Sequence, residues 1–377
     1  MKLTCLQDNL AYGIGQVGRA AGRSTLAITN NILLSTDGGR LKLVATNLEM
    51  AVSCWIGADI ESEGSITVPA KLISEYVSVL SKDDKVGLDL DDKNSLNIKT
   101  ARQKTRLSGM PSEDFPPIPV IEDGICTKLK FSELKKAINQ VVFAAASDAA
   151  RPVLTGVLAD FNGDKVTLVA ADGFRLAVYK AEIGMKVETQ TKAIIPARVL
   201  GELSRMVING EDEVEIKINS KCTQALFTIG DVQFYSQLIQ GNFPAYEQLI
   251  PAGESTTVTV IVNQLQQCTK SASIFAKDGN GIIKIIATPG ADLVPGKITL
   301  SARSEEVGDN ISDMEAIVEG SEGKIAFNYK YLNDMLNVIK QDQMVLKIVN
   351  PTSPGVFLPA DPKENFLYVI MPMFVQW

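Results

Sequence analysis

Histidine is absent from the chain. That removes Ser-His-Asp and Cys-His nucleophilic catalysis, HExxH zinc chemistry and histidine phosphoryl relays. Cysteine is sparse and odd in number, at Cys5, Cys54, Cys126, Cys222 and Cys268, with no CxxC pair. The expectation is therefore reduced, buried thiols rather than disulfides or a thiolate metal site. No run of 18 apolar residues occurs, and the opening MKLTCLQDN carries no signal-type apolar segment. No spanning helix is expected, and the cytoplasm is the expected compartment. Excess charge is also small: the formal net charge is -7 over 377 residues, with both signs interspersed. This argues against a generic basic nucleic-acid binder and leaves room for a locally basic surface. There is no GxxxxGK[ST] phosphate loop. GIGQVG at Gly13 to Gly18 lies within a helical stripe and follows no strand, unlike a dinucleotide loop. Asp160, Asp164 and Asp172 sit in FNGDK and ADGFR contexts that read as turns, not as a Mg2+ site. No catalytic residue, metal ligand or cofactor is expected.

What is present is a repeat. VTLVAADGFRLAVY (Val166 to Tyr179) reads as strand, Asp172-Gly173 turn, strand. IIPARVLGELSRM (Ile194 to Met206) reads as a short strand, Pro196 near a helix start, then an amphipathic helix. The same order recurs upstream in LKLVATNLEMAV (Leu41 to Val52) and ITVPAKLISEYVSVL (Ile66 to Leu80). It recurs downstream in IIKIIAT (Ile282 to Thr288) and IAFNYKYLNDMLNVI (Ile325 to Ile339). First helices are expected near Leu6 to Ala21, Phe131 to Ala146 and Val262 to Phe275, and second helices near Ala70 to Leu80, Ala197 to Val207 and Tyr329 to Lys340. A chain of this length suits two or three cores, and the period of roughly a third of it points to triplication. Proline-rich breaks at Phe115 to Pro119 and near Pro251 set the boundaries: residues 1–121, 127–251 and 255–377.

Strands are expected at Ala27 to Ser35, Leu41 to Thr46 and Glu49 to Trp55, with a hairpin turn at Asp37-Gly38-Gly39. Leu154 to Phe161 is expected to be a strand, Asp59 to Gly64 a polar loop and Glu305 to Asp313 an acidic loop. The helix faces expected to be buried include Leu72, Ile73, Tyr76 and Leu80, then Leu200, Leu203 and Val207, then Cys268 and Phe275. The class is α+β, with three similar domains whose sheet edges need covering; joining units edge to edge, and closing a ring, would cover them.

The segments RPVLTGVL (Arg151 to Leu158), LVAADGFRLA (Leu168 to Ala177), IIPARVLGEL (Ile194 to Leu203), GNFPAYEQLIP (Gly241 to Pro251), FNYKYLNDMLNVI (Phe327 to Ile339) and VIMPM (Val369 to Met373) together resemble the bacterial replicative sliding clamps, the beta subunits of DNA polymerase III. The resemblance covers essentially the whole chain. It implies a ring-forming, head-to-tail homodimer with helices inside and sheets outside, threaded by double-stranded DNA and without chemistry of its own. The implied partners are the replicative polymerase alpha subunit, the clamp loader delta subunit, other polymerases, mismatch repair proteins and ligase, and no membrane. Basic residues in or beside the helices become candidate DNA contacts: Arg19, Arg23, Lys71, Lys135, Lys136, Arg198, Arg205, Lys270, Lys277 and Lys330. Their alternative is an ordinary solvated helix face. The implied partner-peptide pocket comprises Leu154, Gly173, Arg175, Leu176, Pro244, Val369, Met371, Pro372 and Met373. Within it, Arg175 is expected to keep its charge wet above a covered stem. Leu107, Ile274 and Phe275 are the expected dimer contacts; the alternative is that they fill their own cores. Phe174 stands where some family members carry histidine, and Phe374 to Trp377 either pack over the pocket or extend into solvent. A three-repeat scaffold that binds no nucleic acid is the rival reading, and clustering of basic side chains on one concave face separates the two.

Overall fold

Each α-helix begins at the residue that follows a strand. The structure is a computed structural model describing residues 1–22, 26–208, 210–291 and 294–377. Among these, α1 (Gln7–Val17), α2 (Ala70–Ser78), α3 (Phe131–Val141), α4 (Ala197–Ser204), α5 (Val262–Asp278) and α6 (Tyr329–Val338) follow strands ending at Leu6, Pro69, Lys130, Pro196, Ile261 and Asn328. Pro69 and Pro196 sit at the junctions with φ of -56° and -53°, so the ring pre-sets the entry to α2 and α4. Asn328 caps α6 by accepting the Lys330 N–H at 2.9 Å.

The buried stripes explain where the helices pack. α1 buries Leu10, Ile14 and Val17, and α6 buries Leu332, Met335 and Leu336. In α2, Ile73 and Val77 face inward, whereas Leu72 is 48% exposed. α4 ends at Ser204, which leaves Val207 outside the helix and 72% exposed. α5 turns Thr269 and Ala276 inward, and Cys268 and Phe275 are half-buried. These are corrections to the expected faces: at Leu72, Cys268 and Phe275 by one position around the helix, and at Val207 because the helix stops short of it. The apolar periodicity tolerates that shift because small residues such as Ala272 and Ala276 pack closely without adding to the apolar signal.

Among the described residues the strands form four sheets, and the ladders whose register is set out below are antiparallel. The first has order 59–62, 2–6, 85–90, 95–99, 104–108. The second has order 125–130, 213–218, 224–229, 232–237, 50–57, 40–46, 31–37, 65–69. The third runs 156–171, 175–196, 366–370, 355–359, 343–348, 256–261, 317–319, and the fourth 308–315, 297–304, 282–288, 323–328. Strand 50–57 pairs with 232–237 with Cys54 opposite Val232, and strand 175–196 pairs with 366–370 with Ala177 opposite Tyr368. The strand after one LVA-type hairpin is thus joined to a strand about 180 to 190 residues later, twice. The hairpin expected at Asp37-Gly38-Gly39 forms with Asp37 opposite Arg40, and both glycines have positive φ.

Four local expectations are corrected. Ala27–Asn30 is a 3-10 turn, and the strand expected from Ala27 begins only at Asn31. Pro152–Thr155 is a 3-10 turn, and the strand begins only at Gly156. Glu305 to Asp313 is largely strand: Gly308–Glu315 pairs back on Lys297–Ser304. Asp59–Ser62 is an edge strand within the expected loop. Exposed edges carry charged and polar residues that discourage further pairing, so they lack the apolar alternation that marks a strand.

By compactness the described residues fall into two units, Met1–Glu133 with Ile183–Leu238, and Leu134–Glu182 with Ile239–Trp377. Of the five free thiols, Cys5 and Cys54 are buried, and burial pushes both up to about 12; Cys126, Cys222 and Cys268 are half-buried. No helix among the described residues is long and apolar enough to cross a membrane.

In the second unit, Phe327, Phe357 and Tyr368 are fully buried, with ring centroids 5.6 Å and 6.4 Å apart in succession. Gly355 lies so close that a Cβ there would collide with the Phe327 ring. Phe327→Ala is expected to lose about 3–5 kcal/mol of unfolding free energy, read from urea denaturation. A loss below about 1 kcal/mol would mean that these rings are not the centre of the core.

Candidate partner site and basic helix faces

The tightest constellation of predicted site residues forms around the turn before Arg175. Gly173 has φ of +92°, a conformation that L side chains rarely adopt. Asp172 Oδ1 accepts the N–H groups of Phe174 and Arg175 at 2.9 and 3.0 Å, and the Asp172 carbonyl accepts Arg151 Nη2 at 2.7 Å. The strand leaving this turn pairs Arg175 with Ile370 and Leu176 with Val369. Met371 N–H then donates to the Phe174 carbonyl at 2.8 Å, and Met373 N–H to the Ala326 carbonyl at 2.8 Å. Backbone pairing therefore brings Gly173, Arg175, Leu176, Val369 and Met371 together.

Leu154, Leu176 and Val369 are buried, while Met371 and Pro244 are exposed and Pro372 and Met373 half-buried. The Gly241–Pro244 loop runs against the Pro152–Thr155 turn: a Cβ on Gly241 would meet Val153 Cγ1 at 2.8 Å. That approach sets Gly241, at the start of the loop, beside the turn that holds Leu154.

Arg175 corrects its expected role. Its side chain is only 10% exposed, so its charge is not wet. Nε donates to Asp172 Oδ2 at 2.9 Å and Nη1 to Asp334 Oδ2 at 2.5 Å. The guanidinium lies 4.8 Å from the Tyr331 ring centroid and 5.6 Å from that of Phe143. Burial opposes the charge, and the surrounding oxygens of Tyr368, Asp334 and Asp172 outweigh it, so the group is held firmly cationic. Phe174, 57% exposed, stacks on Tyr331 with centroids 6.3 Å apart and planes at 16°. Tyr368 Oη donates to the Tyr331 carbonyl at 3.1 Å, and burial pushes its hydroxyl upward. Sequence reasoning missed Phe143, Arg151, Tyr331 and Asp334. The signal that could have found two of them is the i,i+3 spacing of Tyr331 and Asp334, which puts both on one face of α6.

The basic set divides. Arg19 and Arg205 share Glu202 at 3.7 and 2.9 Å, and Arg198 faces Glu49 at 3.8 Å. Lys71 reaches Glu75 at 3.9 Å, and Lys136 pairs with Glu364 at 2.7 Å. Lys135, Lys270, Lys277 and Lys330 are exposed and form no ion pair among the described residues. Arg23 lies outside the described residues.

Leu107 is 3% exposed, opposite Leu96 within its own sheet, which corrects its placement as an outward contact: strand alternation turns it inward. Ile274 is 65% exposed on α5, Phe275 is half-buried, and the sheet edge Gly308–Glu315 presents exposed Ile311. Beyond Met373, Phe374 is open to solvent, and Trp377 lies against Lys284, whose Nζ bonds the Gln376 carbonyl at 2.6 Å.

Arg175→Ala would leave two carboxylates facing an emptied layer between rings. Asp334 is 43% exposed, so the expected loss is about 2 kcal/mol, between the values for buried and surface pairs. Chemical denaturation measures it; an unchanged midpoint would show the cluster to be energetically idle.

Three family profiles match along the chain: the DNA polymerase III beta subunit N-terminal domain at residues 1–119, its central domain at 128–245 and its C-terminal domain at 247–374. The beta sliding clamp of Synechocystis sp. is 31% identical over 395 residues, covering 99% of each chain, and that of Escherichia coli is 28% identical over 375, covering 99% of this chain and 100% of its own. Among solved structures, the DNA polymerase sliding clamp of Bacillus subtilis superposes with a TM-score of 0.93 at 26% identity, and the DNA polymerase III beta subunit of Thermotoga maritima with 0.90 at 25%, each over 100% of both chains. With likeness of sequence and of fold running end to end, the chain belongs to the family of DNA polymerase III beta subunits, the non-catalytic sliding clamps of three-domain α+β fold.

Proposed function

We propose that this chain is a processivity factor. Two copies close head to tail into a ring around duplex DNA, with helices inside and sheets outside, each copy divided into domains 1–121, 127–251 and 255–377. The reading rests chiefly on Lys135, Lys270, Lys277 and Lys330, cations carried by α3, α5 and α6 that are exposed and unpaired among the described residues. A tether must hold DNA without stopping on it. Phosphate attraction acts equally at each step and carries no sequence information, so scattered lysines suit sliding better than base-reading groups. Arg19, Arg198, Arg205, Lys71 and Lys136 contribute less in this reading, because each already faces a carboxylate. Arg23 remains in the DNA-contacting set proposed from the resemblance.

For ring closure, the exposed Ile274 on α5 and the open edge strand Gly308–Glu315 are the proposed C-terminal half of the contact. Clamp assembled on a nicked circle by a cognate loader is expected to stay through gel filtration and to leave when the circle is cut. Ile274→Asp should shift sedimentation equilibrium toward monomer and lose the retained fraction. Retention on cut DNA, or a strictly monomeric wild-type chain at micromolar concentration, would overturn the ring.

The turn at Gly173 and the Val369–Met373 segment are the proposed seat for a linear motif of the polymerase alpha subunit, the loader delta subunit and, in turn, other polymerases, mismatch repair proteins and ligase. Exposed Met371 adapts to different side chains, and Leu154, Leu176 and Val369 stiffen the floor beneath it. Cytoplasm is the proposed compartment. A labelled C-terminal peptide of the alpha subunit should bind with a Kd near micromolar, about -8 kcal/mol. Deleting residues 371–377 should abolish that binding and leave the dimer intact. Equal affinity for both folded forms would place the partner site elsewhere.

A further inference from the structure

The segment beyond Met371 is tied to the fourth sheet at two neighbouring points. Strand 323–328 lies at one edge of that sheet, so part of its backbone is turned away from its one partner strand. The Ala326 carbonyl there accepts the Met373 N–H at 2.8 Å. The register sets Ala326 opposite Lys284 of strand Ile282–Thr288. Lys284 Nζ in turn donates to the Gln376 carbonyl at 2.6 Å and lies 5.7 Å from the Trp377 ring centroid. The two anchors are cross-strand neighbours, one strand spacing of about 5 Å apart. The step from Met373 to Gln376 can reach about 10 Å, so it spans them with slack.

Strand alternation shows on which side the tail lies. Ile283, Ile285 and Ala287 are fully buried, so Lys284 and Ile286, both half-buried, point to the opposite face. Ala326 shares that face with Lys284, yet it too is fully buried. An alanine turned away from the core needs a cover, and the tail is anchored at its carbonyl and at its cross-strand neighbour. Along the tail, Met373 and Val375 are half-buried while Phe374 and Gln376 are exposed, as in an extended segment with one side against a surface.

The other end of this segment is the proposed peptide seat, where the Met371 N–H donates to the Phe174 carbonyl at 2.8 Å. Residues 371–377 form neither helix nor strand, and chain ends fray unless they are tied down. Lys284 holds the last two residues by its charge and by its donor together. Without it, the tie nearest the chain end is the single Met373 hydrogen bond. Ordering Met371 to Met373 would then be charged against each binding event.

We infer that Lys284 is a positioning residue of the peptide seat, a role that presupposes the seat proposed above. It clips Gln376 and Trp377 to the fourth sheet and so keeps Met371 and Met373 in the place where a partner motif docks.

The labelled C-terminal peptide of the alpha subunit is titrated against the full chain and against Lys284→Met, which keeps the stem and loses the charge and the donor. Lys284→Met should raise the Kd about 4-fold, the loss of one partly exposed cation–aromatic contact with its hydrogen bond. Lys284→Arg, which keeps both, should restore it. Trp377→Ala should weaken the peptide too, and the double variant no more than the stronger single one, because both changes open the same clip. In a Trp55→Phe background Trp377 is the only tryptophan, and Lys284→Met should open it to acrylamide quenching. Absence of peptide binding to the unaltered chain would sink the seat and this role of Lys284 together. Unchanged affinity in a Lys284→Met chain whose Trp377 has become more open to quencher would sink the role alone and leave the seat standing. Unchanged quenching would show that there is no clip, and tighter binding would make the tail a competitor; each overturns the inference.

Discussion

The pairing of strand Arg175–Pro196 with strand Phe366–Ile370 is the constraint on which the candidate partner site depends. It sets Arg175 beside Ile370 and carries Met371 onto the Phe174 carbonyl. A one-residue slip would exchange the buried and exposed sides of both strands. Register is fixed here by large buried side chains: Tyr368 is fully buried and lies 6.3 Å from the Phe366 ring, 6.4 Å from Phe357 and 5.4 Å from Phe143. The same type of junction, Cys54 opposite Val232, organises the first unit. One interaction, used twice, thus builds the sheets and positions what stands on them.

Charge follows a different logic at the two kinds of surface. Arg175 is almost covered, and a covered guanidinium must be compensated; Asp172 and Asp334 do this between two aromatic faces. The consequence is rigidity at the turn rather than a cation on offer. On the helices the pairs of Arg198 and Arg205 are exposed and worth at most about 1 kcal/mol each, and Lys135 and Lys270 form no ion pair among the described residues. A moderately acidic chain can in this way keep exposed, uncompensated cations on its helices.

Much was legible in the sequence, for physical reasons that differ by element. Apolar stripes at helical spacing located the six α-helices of the described residues, and Pro196 marked where one of them begins. The Asp-Gly turns announced themselves because glycine adopts a φ such as the +92° of Gly173 without the steric cost that a Cβ brings. Edge strands were less visible. Gly308–Glu315 and Asp59–Ser62 read as polar loops because an exposed edge needs backbone partners on one side only and no apolar face. Helix ends were overestimated at Val207 and Ala21, where apolar residues continue past the last helical hydrogen bond.

The sequence by itself determined the class of fold, the threefold recurrence and the family, because these follow from periodicity and local motifs that survive without knowledge of contacts. Only the tertiary structure decided what the charged and aromatic side chains do. Asp334 reaches Arg175 across 159 positions and Glu364 reaches Lys136 across 228. Such partners leave no local pattern, since an ion pair constrains where two residues meet in space and not how far apart they stand in the chain.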